Sequence, residues 1–347
     1  MKDYLEKIAA PSMEDGYRLI RQGAALIDGS GFGILKVTGE NAAEALNALV
    51  TKDVQYLNID TVSECLVLNE EACALGTVYV CHLDADFIVL TPPGSEKAAE
   101  KLASDLGESA TDVSAKQDLV CIEGPKAWQV IRDVLKINVD MLPLRGIEEI
   151  TGQNGSALYV MRIGRSGEYA YAILADAGFM PSLVEEMKTY GQNQGLAIGA
   201  ASEDTMKVCM LETLQPDFSS LPTEEEDLFS LGLQWLIQYE KEDYCGHDAM
   251  KELFEKGHEQ DLVFFTAKDR RNVEIGSEIT LDSETVGKVV QAAVSPALGY
   301  VFGSALIRSD LAVTGVLFTL TDKDGECEIE TVASPVIRPV SWDQPME

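Results

Sequence analysis

The apolar positions of this chain fall into two regimes. Up to about residue 257, short strand-like runs alternate with segments of helical period; beyond it, strand-like runs succeed one another with only turn residues between. In the first regime GILKVTG (33–39) reads as a strand closing on a glycine, and Asn41 stands as the cap of an apolar-periodic helix, AAEALNALV. SECLVLN (63–69), ALGTVYVCHL (74–83) and DFIVLT (86–91) read as strands. Ser95 stands as the cap of a helix, EKAAEKLASDL, which stops at Gly107. DLVCIEG (118–124) runs as a strand into a helix with Pro125 near its first turn. ALYVMRIG and EYAYAILAD make a hairpin around GRSG, and helices follow over 182–190 and 204–212. Strands grouped in hairpins, without strict strand–helix–strand alternation, predict an α+β fold. LVFFTA, SEITLD, TVGKVVQAAV, SALIRS and GVLFTLTD then predict a separate all-β C-terminal unit, a small barrel or jelly roll.

Length and charge narrow the classes. At 347 residues the chain is long enough for two or three domains. No apolar run approaches the roughly 20 residues that span a bilayer, and the start MKDYLEKIAAPSMEDGYRL has no apolar signal region. A cytoplasmic protein is expected. With 58 Asp and Glu against 27 Lys and Arg, the net charge of −31 repels nucleic acid and anionic lipid, so neither is an expected partner. The acidic run LPTEEED (221–227) has the ordinary reading of a solvated loop. Seven scattered cysteines, without a CxxC pair, read as reduced thiols, and three histidines lack metal-ligand spacing, so no metal is expected.

Five segments, collinear over most of the chain, carry a resemblance. They are LIDGSGFGILKVTGENAAEALNALVTKDV, LVLNEEACALGTVYV, MRIGRSGEYAYAI, LFSLGLQWLIQYEKEDYCGHDAM and VGKVVQAAVSPALGYVFGSALI. Together they resemble the glycine-cleavage T-protein (aminomethyltransferase) family, which includes folate-dependent demethylases. The resemblance implies a three-domain clover leaf around a central channel that in the family holds tetrahydrofolate. On that basis residues 1–50 with 115–220 form the folate-binding-type α+β domain and 51–114 an inserted α+β domain. Residues 221–257 form a connecting helical segment, and 258–347 the β-barrel domain.

The implied activity is transfer of a methyl or aminomethyl group linked to tetrahydrofolate, or demethylation. The partners would be a small-molecule one-carbon donor and a lipoyl or corrinoid carrier protein. The alternative is a non-catalytic protein of the same build that binds folate or another small ligand or acts as a regulator. The resemblance places Asn69, Arg162, Arg165, Glu168 and Lys207 at the cofactor, Arg165 and Lys207 meeting an anionic substrate or the folate tail. Glu168 on its own reads as an exposed hairpin residue, and Arg162 as a strand arginine on a solvated face.

No catalytic residue is assigned, because the polar positions differ from the family pattern. Gly76 and Thr77 stand where the family hairpin has its acidic pair. A shifted register would have to recruit Glu70, Glu71, Asp84 or Asp86, which otherwise read as solvated turn residues. Arg165 replaces a tyrosine, Ala172 a glutamate, Lys207 an arginine, Cys209 a glutamate and Ser230 an acidic residue. Lysine keeps the charge and loses the planar fork. Cys209 reads as a buried structural thiol, with no histidine near it in sequence to activate it.

Overall fold

The computed structural model describes residues 1–84, 86–152, 155–333 and 335–346. Its strands in chain order are β1 (Ala24–Asp28), β2 (Gly33–Val37), β3 (Thr61–Leu68), β4 (Ala74–His82), β5 (Phe87–Thr91) and β6 (Ala110–Asp112). There follow β7 (Gln117–Glu123), β8 (Ile147–Thr151), β9 (Ala157–Met161), β10 (Ala170–Asp176) and β11 (Ile198–Ala201). The last six are β12 (Gln260–Ala267), β13 (Glu278–Leu281), β14 (Glu284–Val294), β15 (Val301–Arg308), β16 (Leu317–Asp322) and β17 (Gly325–Val332).

Three sheets result. The first runs β11-β1-β7-β10-β9-β8, the second β3-β4-β5-β2-β6, and the third closes into a barrel, β12-β15-β14-β13-β16-β17. The α+β class and the C-terminal barrel predicted from the hydrophobic pattern are both present. Residues 33–37 hydrogen-bond into the second sheet, between β5 and β6, although they precede residue 51.

Why the early strands read as nearly unbroken apolar runs follows from their burial. On β4, Val78 and Val80 pack with Leu102 of helix Glu96–Leu106, while Tyr79 and Cys81 point the other way into a core shared with the first sheet. The first sheet is likewise covered on both faces. Val120, Ile122 and Tyr171 pack on helices Ala127–Leu135 and Met180–Gln194; Leu119, Cys121 and Leu174 face the shared core. A strand buried on both faces has no reason to alternate.

Two predicted caps differ. Asn41 and Ser95 occupy cap positions without bonding the helix amides. The buried Ser95 hydroxyl instead accepts from the Thr77 N–H at 3.1 Å, beside the β-bulge where β3 and β4 change register. Helix Met13–Gln22, for which the sequence reading had no element, is capped by Ser12 accepting from the Asp15 N–H. The acidic run is less detached than a solvated loop: Glu224 pairs with Lys97, and Glu225 and Glu226 with Lys288 of the barrel. None of the described helices is long and apolar enough to cross a membrane.

Candidate active site

The two open sheets meet edge to edge at one place, and that seam positions the site. The Val62 N–H donates to Arg145 O, Ile147 N–H to Asp60 O, and Thr61 forms an isolated bridge with Gly146. Arg145, in the left-handed region at φ 62°, is pinned further by its N–H on Arg162 O at 2.9 Å. Behind this seam lies a cavity of about 320 Å³. Glu64 and Tyr79, paired across β3 and β4, line it from the second sheet, Arg145 and Arg162 from the first. Trp235 and Trp342 complete the wall from the segment before the barrel and from the C-terminal segment. A second cavity of about 250 Å³ shares Gln215 and Trp235 with it and extends to Phe264 and Gln291 of the barrel.

The polar contacts of the cavity behind the seam are few and short. Arg145 Nη2 donates to Glu64 Oε2 at 2.6 Å, and Arg162 Nη1 to Leu142 O at 2.7 Å. Burial, with the Glu64 carboxylate next in weight, pushes the Tyr79 phenol well above its ordinary range, so it is a neutral hydroxyl at physiological pH.

One wall of the cavity is a buried ionic cluster. Arg21 donates to Glu168 at 3.2 Å, to Glu212 at 2.8 Å and to Ser166 O at 2.8 Å. Glu212 also accepts from the Tyr17 hydroxyl at 2.9 Å and from Ser295 of the barrel at 2.6 Å. Glu168 accepts from the amides of Val340 and Ser341 and from the Ser341 hydroxyl. Those bonds hold the C-terminal segment that carries Trp342, whose indole N–H donates to Gly167 O.

Of the five residues expected at a cofactor, Arg162 and Glu168 line this cavity. Asn69, Arg165 and Lys207 do not. Asn69 Oδ1 closes the β3–β4 turn by accepting from the amides of Glu71 and Cys73. Arg165 is buried over Phe32 and donates to both oxygens of Glu203, at 2.5 and 2.9 Å. Lys207 donates to Ser219 Oγ at 2.7 Å, with Asp217 at 3.8 Å. Glu168 corrects its local reading: it is a buried residue, because its pairing groups come from far along the chain.

The family described as the GCVT N-terminal domain matches residues 2–241. The chain belongs to the glycine-cleavage T-protein (GCVT) family. It is a divergent member. The aminomethyltransferase of Alkaliphilus oremlandii is 22% identical over 323 residues, 91% of this chain and 87% of that protein. That of Nostoc sp. is 24% identical over 310 residues, covering 86% and 81% respectively. The crystal structure of the glycine cleavage system aminomethyltransferase T from Bartonella henselae superposes with a TM-score of 0.84 at 18% identity, over 96% of this chain and 91% of that one. The fold is therefore shared.

Within this GCVT-family scaffold the space at the Gly76 hairpin position is closed. A Cβ placed on Gly76 would lie 2.5 Å from Ser95 Cβ and 2.8 Å from its Cα, so no carboxylate fits there unless the helix entrance moves. The Thr77 hydroxyl is turned onto Cys65 O at 3.1 Å. Glu70, Glu71 and Asp84 are exposed, and Asp86 pairs with Lys36. Cys209 is fully buried, and that burial pushes its thiol well up, as befits an inert packing residue. Ser230 bonds Asp227 at 2.7 Å. Sequence reasoning missed Glu64, Arg145, Tyr79, Arg21 and Glu212; the one local signal available was the Ser12–Asp15 cap that starts the helix bearing Tyr17 and Arg21.

Proposed function

We propose that the protein is a folate-linked one-carbon transferase or demethylase whose ligand lies in the central cavity on polar contacts unlike those of its relatives. The observation that carries this reading is the cavity itself. Aromatic side chains from three separate parts of the chain, Tyr79, Trp235 and Trp342, surround a buried carboxylate, Glu64, and two guanidinium groups. These residues fit a reduced folate. Flat aromatic walls suit its ring system, a carboxylate acceptor suits its N–H edge, and Arg162 suits an anionic tail. When bound, tetrahydrofolate supplies the nitrogen that accepts or donates the one-carbon unit. The chain's own residues bind the ring, orient it and exclude water from it.

Relatives at 22–24% identity carry the name aminomethyltransferase, which supports the reaction class. A small-molecule methyl or aminomethyl donor, presented free or on a lipoyl or corrinoid carrier protein, is the corresponding partner. Calorimetric titration with tetrahydrofolate and 5-methyltetrahydrofolate tests the reading. Dissociation constants below about a millimolar are expected, corresponding to roughly 4 kcal/mol of binding; no heat and no thermal shift at that concentration removes it.

A second reading, a binder without catalysis, is favoured by one observation, the space at Gly76 filled by Ser95. Folate binding without any turnover of isotopically labelled 5-methyltetrahydrofolate, with carrier and acceptor candidates supplied, would select it.

A further inference from the structure

We infer that Glu64 is the specificity residue of the central cavity: its carboxylate takes the N–H edge of a planar, amino-substituted heterocycle, and Arg145 is the positioning residue that holds it. This deepens the folate reading and leans on it only for the choice of probe.

The case begins with the carboxylates near the cavity. Glu168 faces its wall, yet both oxygens are committed to Arg21 and to the 340–341 segment. Gly76 and Cys209 supply none. Glu64 alone combines a cavity position with an uncommitted oxygen among the described residues: Oε2 accepts from Arg145, and Oε1 enters no hydrogen bond there. Its side chain is 6% exposed, so this acceptor sits in the wall, with Oε1 open to the cavity instead of sealed off. An ionised carboxylate is acceptor-only, so a molecule that engages Oε1 inside the cavity must bring a donor. A ligand with N–H groups in one plane does so.

The surroundings add the plane. Glu64 and Tyr79 are directly registered neighbours on β3 and β4, so their side chains leave the sheet on the same face, about 5 Å apart at Cβ. A neutral tyrosine ring beside a carboxylate offers stacking and acceptance to one flat molecule. The Arg145 main chain is fixed by its bonds to Val62 on one side and Arg162 on the other, so the guanidinium starts from a set position beside Glu64. An amidine or a 2-aminopyrimidinone edge is the chemical class that meets this arrangement.

The test compares two fragments without a folate tail, under anaerobic conditions, by ligand-observed NMR. One is tetrahydropterin, with its 2-amino group; the other is tetrahydrolumazine, with an oxo group in its place. The unaltered protein should bind the amino form roughly ten- to a hundredfold more tightly, the range expected for a hydrogen bond to a charged group. In Glu64→Gln the preference should fall to within about threefold. A merely structural Glu64 would lower stability without changing this ratio. If Glu64→Gln does not fold, Glu64→Asp, which withdraws the charge by one methylene, gives the same readout. No binding of tetrahydropterin, no preference in the unaltered protein, or an unchanged preference in the variant each overturns the inference. A normal fragment preference with no tetrahydrofolate binding sinks the folate reading alone.

Discussion

Two carboxylates of the same cavity, Glu168 and Glu64, are paired with arginines in opposite ways. Around Arg21, the guanidinium and both carboxylates are at most 7% exposed, and each carboxylate receives at least three bonds, from helices, the barrel and the C-terminal segment. At Glu64 the carboxylate is just as buried, but its guanidinium partner is 36% exposed and one oxygen is left over. Carboxylates whose oxygens are all bonded fix shape, even though the Arg21 Nε–H itself has no partner, whereas a carboxylate with an oxygen left over keeps capacity for something else. What distinguishes the two sites is how far the carboxylate oxygens are bonded, more than their charge.

The largest expected effect tests the Arg21 cluster. Arg21→Met leaves Glu168 and Glu212 buried without their shared cation. It should cost about 3–5 kcal/mol in urea unfolding, the usual penalty for breaking a buried pair; a loss under about 1 kcal/mol would show that the cluster does not fix the shape. A smaller effect tests why the hairpin offers no rival carboxylate. Gly76→Ala should cost about 1–3 kcal/mol through overpacking against Ser95, and Ser95→Gly in the same chain should recover part of it. An unstrained Gly76→Ala would mean that the space is not closed, and the comparison with Glu64 would lose its contrast.

The smallest effect sets a baseline from the surface. Arg132 and the Tyr190 hydroxyl bond the Asp133 carboxylate and hold its pKa down to about 2. A carboxylate with a depressed folded-state pKa adds stability above its unfolded value, near 4, and loses it as the pH falls toward 2. The group is about a third exposed, so Asp133→Asn should cost less than about 1 kcal/mol at neutral pH. Denaturant midpoints of the two proteins should converge by about pH 2; a gap that persists there would assign the effect to packing.

Legibility in the sequence followed the range of the interactions. Strands of the barrel and the β3–β4 hairpin could be read because apolar runs and the turn residues between them are local. Helix Met13–Gln22 carried a local signal too, the Ser12–Asp15 cap, but its mean composition is polar and it was easily passed over. The resemblance supplied the scaffold, and two of the residues it named, Arg162 and Glu168, line the cavity. It could not supply the polar contacts seen there. Glu64 and Arg145 are 81 residues apart, and no spacing rule connects them. Arg165 and Lys207, chosen for their charge, have partners of their own in Glu203 and Ser219, visible only once the helices are placed. Glu168 was legible as a position and illegible as a buried group, since the amides it accepts lie 172 and 173 residues downstream.

That last separation has a consequence for how the protein is made. During synthesis the first sheet can close soon after β11 emerges, with Arg21 already facing two carboxylates. Ser295 and Ser341, however, are still unmade, and at 5–20 residues per second the wait from Glu168 to Ser341 is on the order of ten to thirty seconds. For most of that interval the nascent chain can hold a closed first sheet with a carboxylate lacking its last donors and a cavity missing its Trp342 wall. The cavity is thus among the last parts of the molecule to be completed.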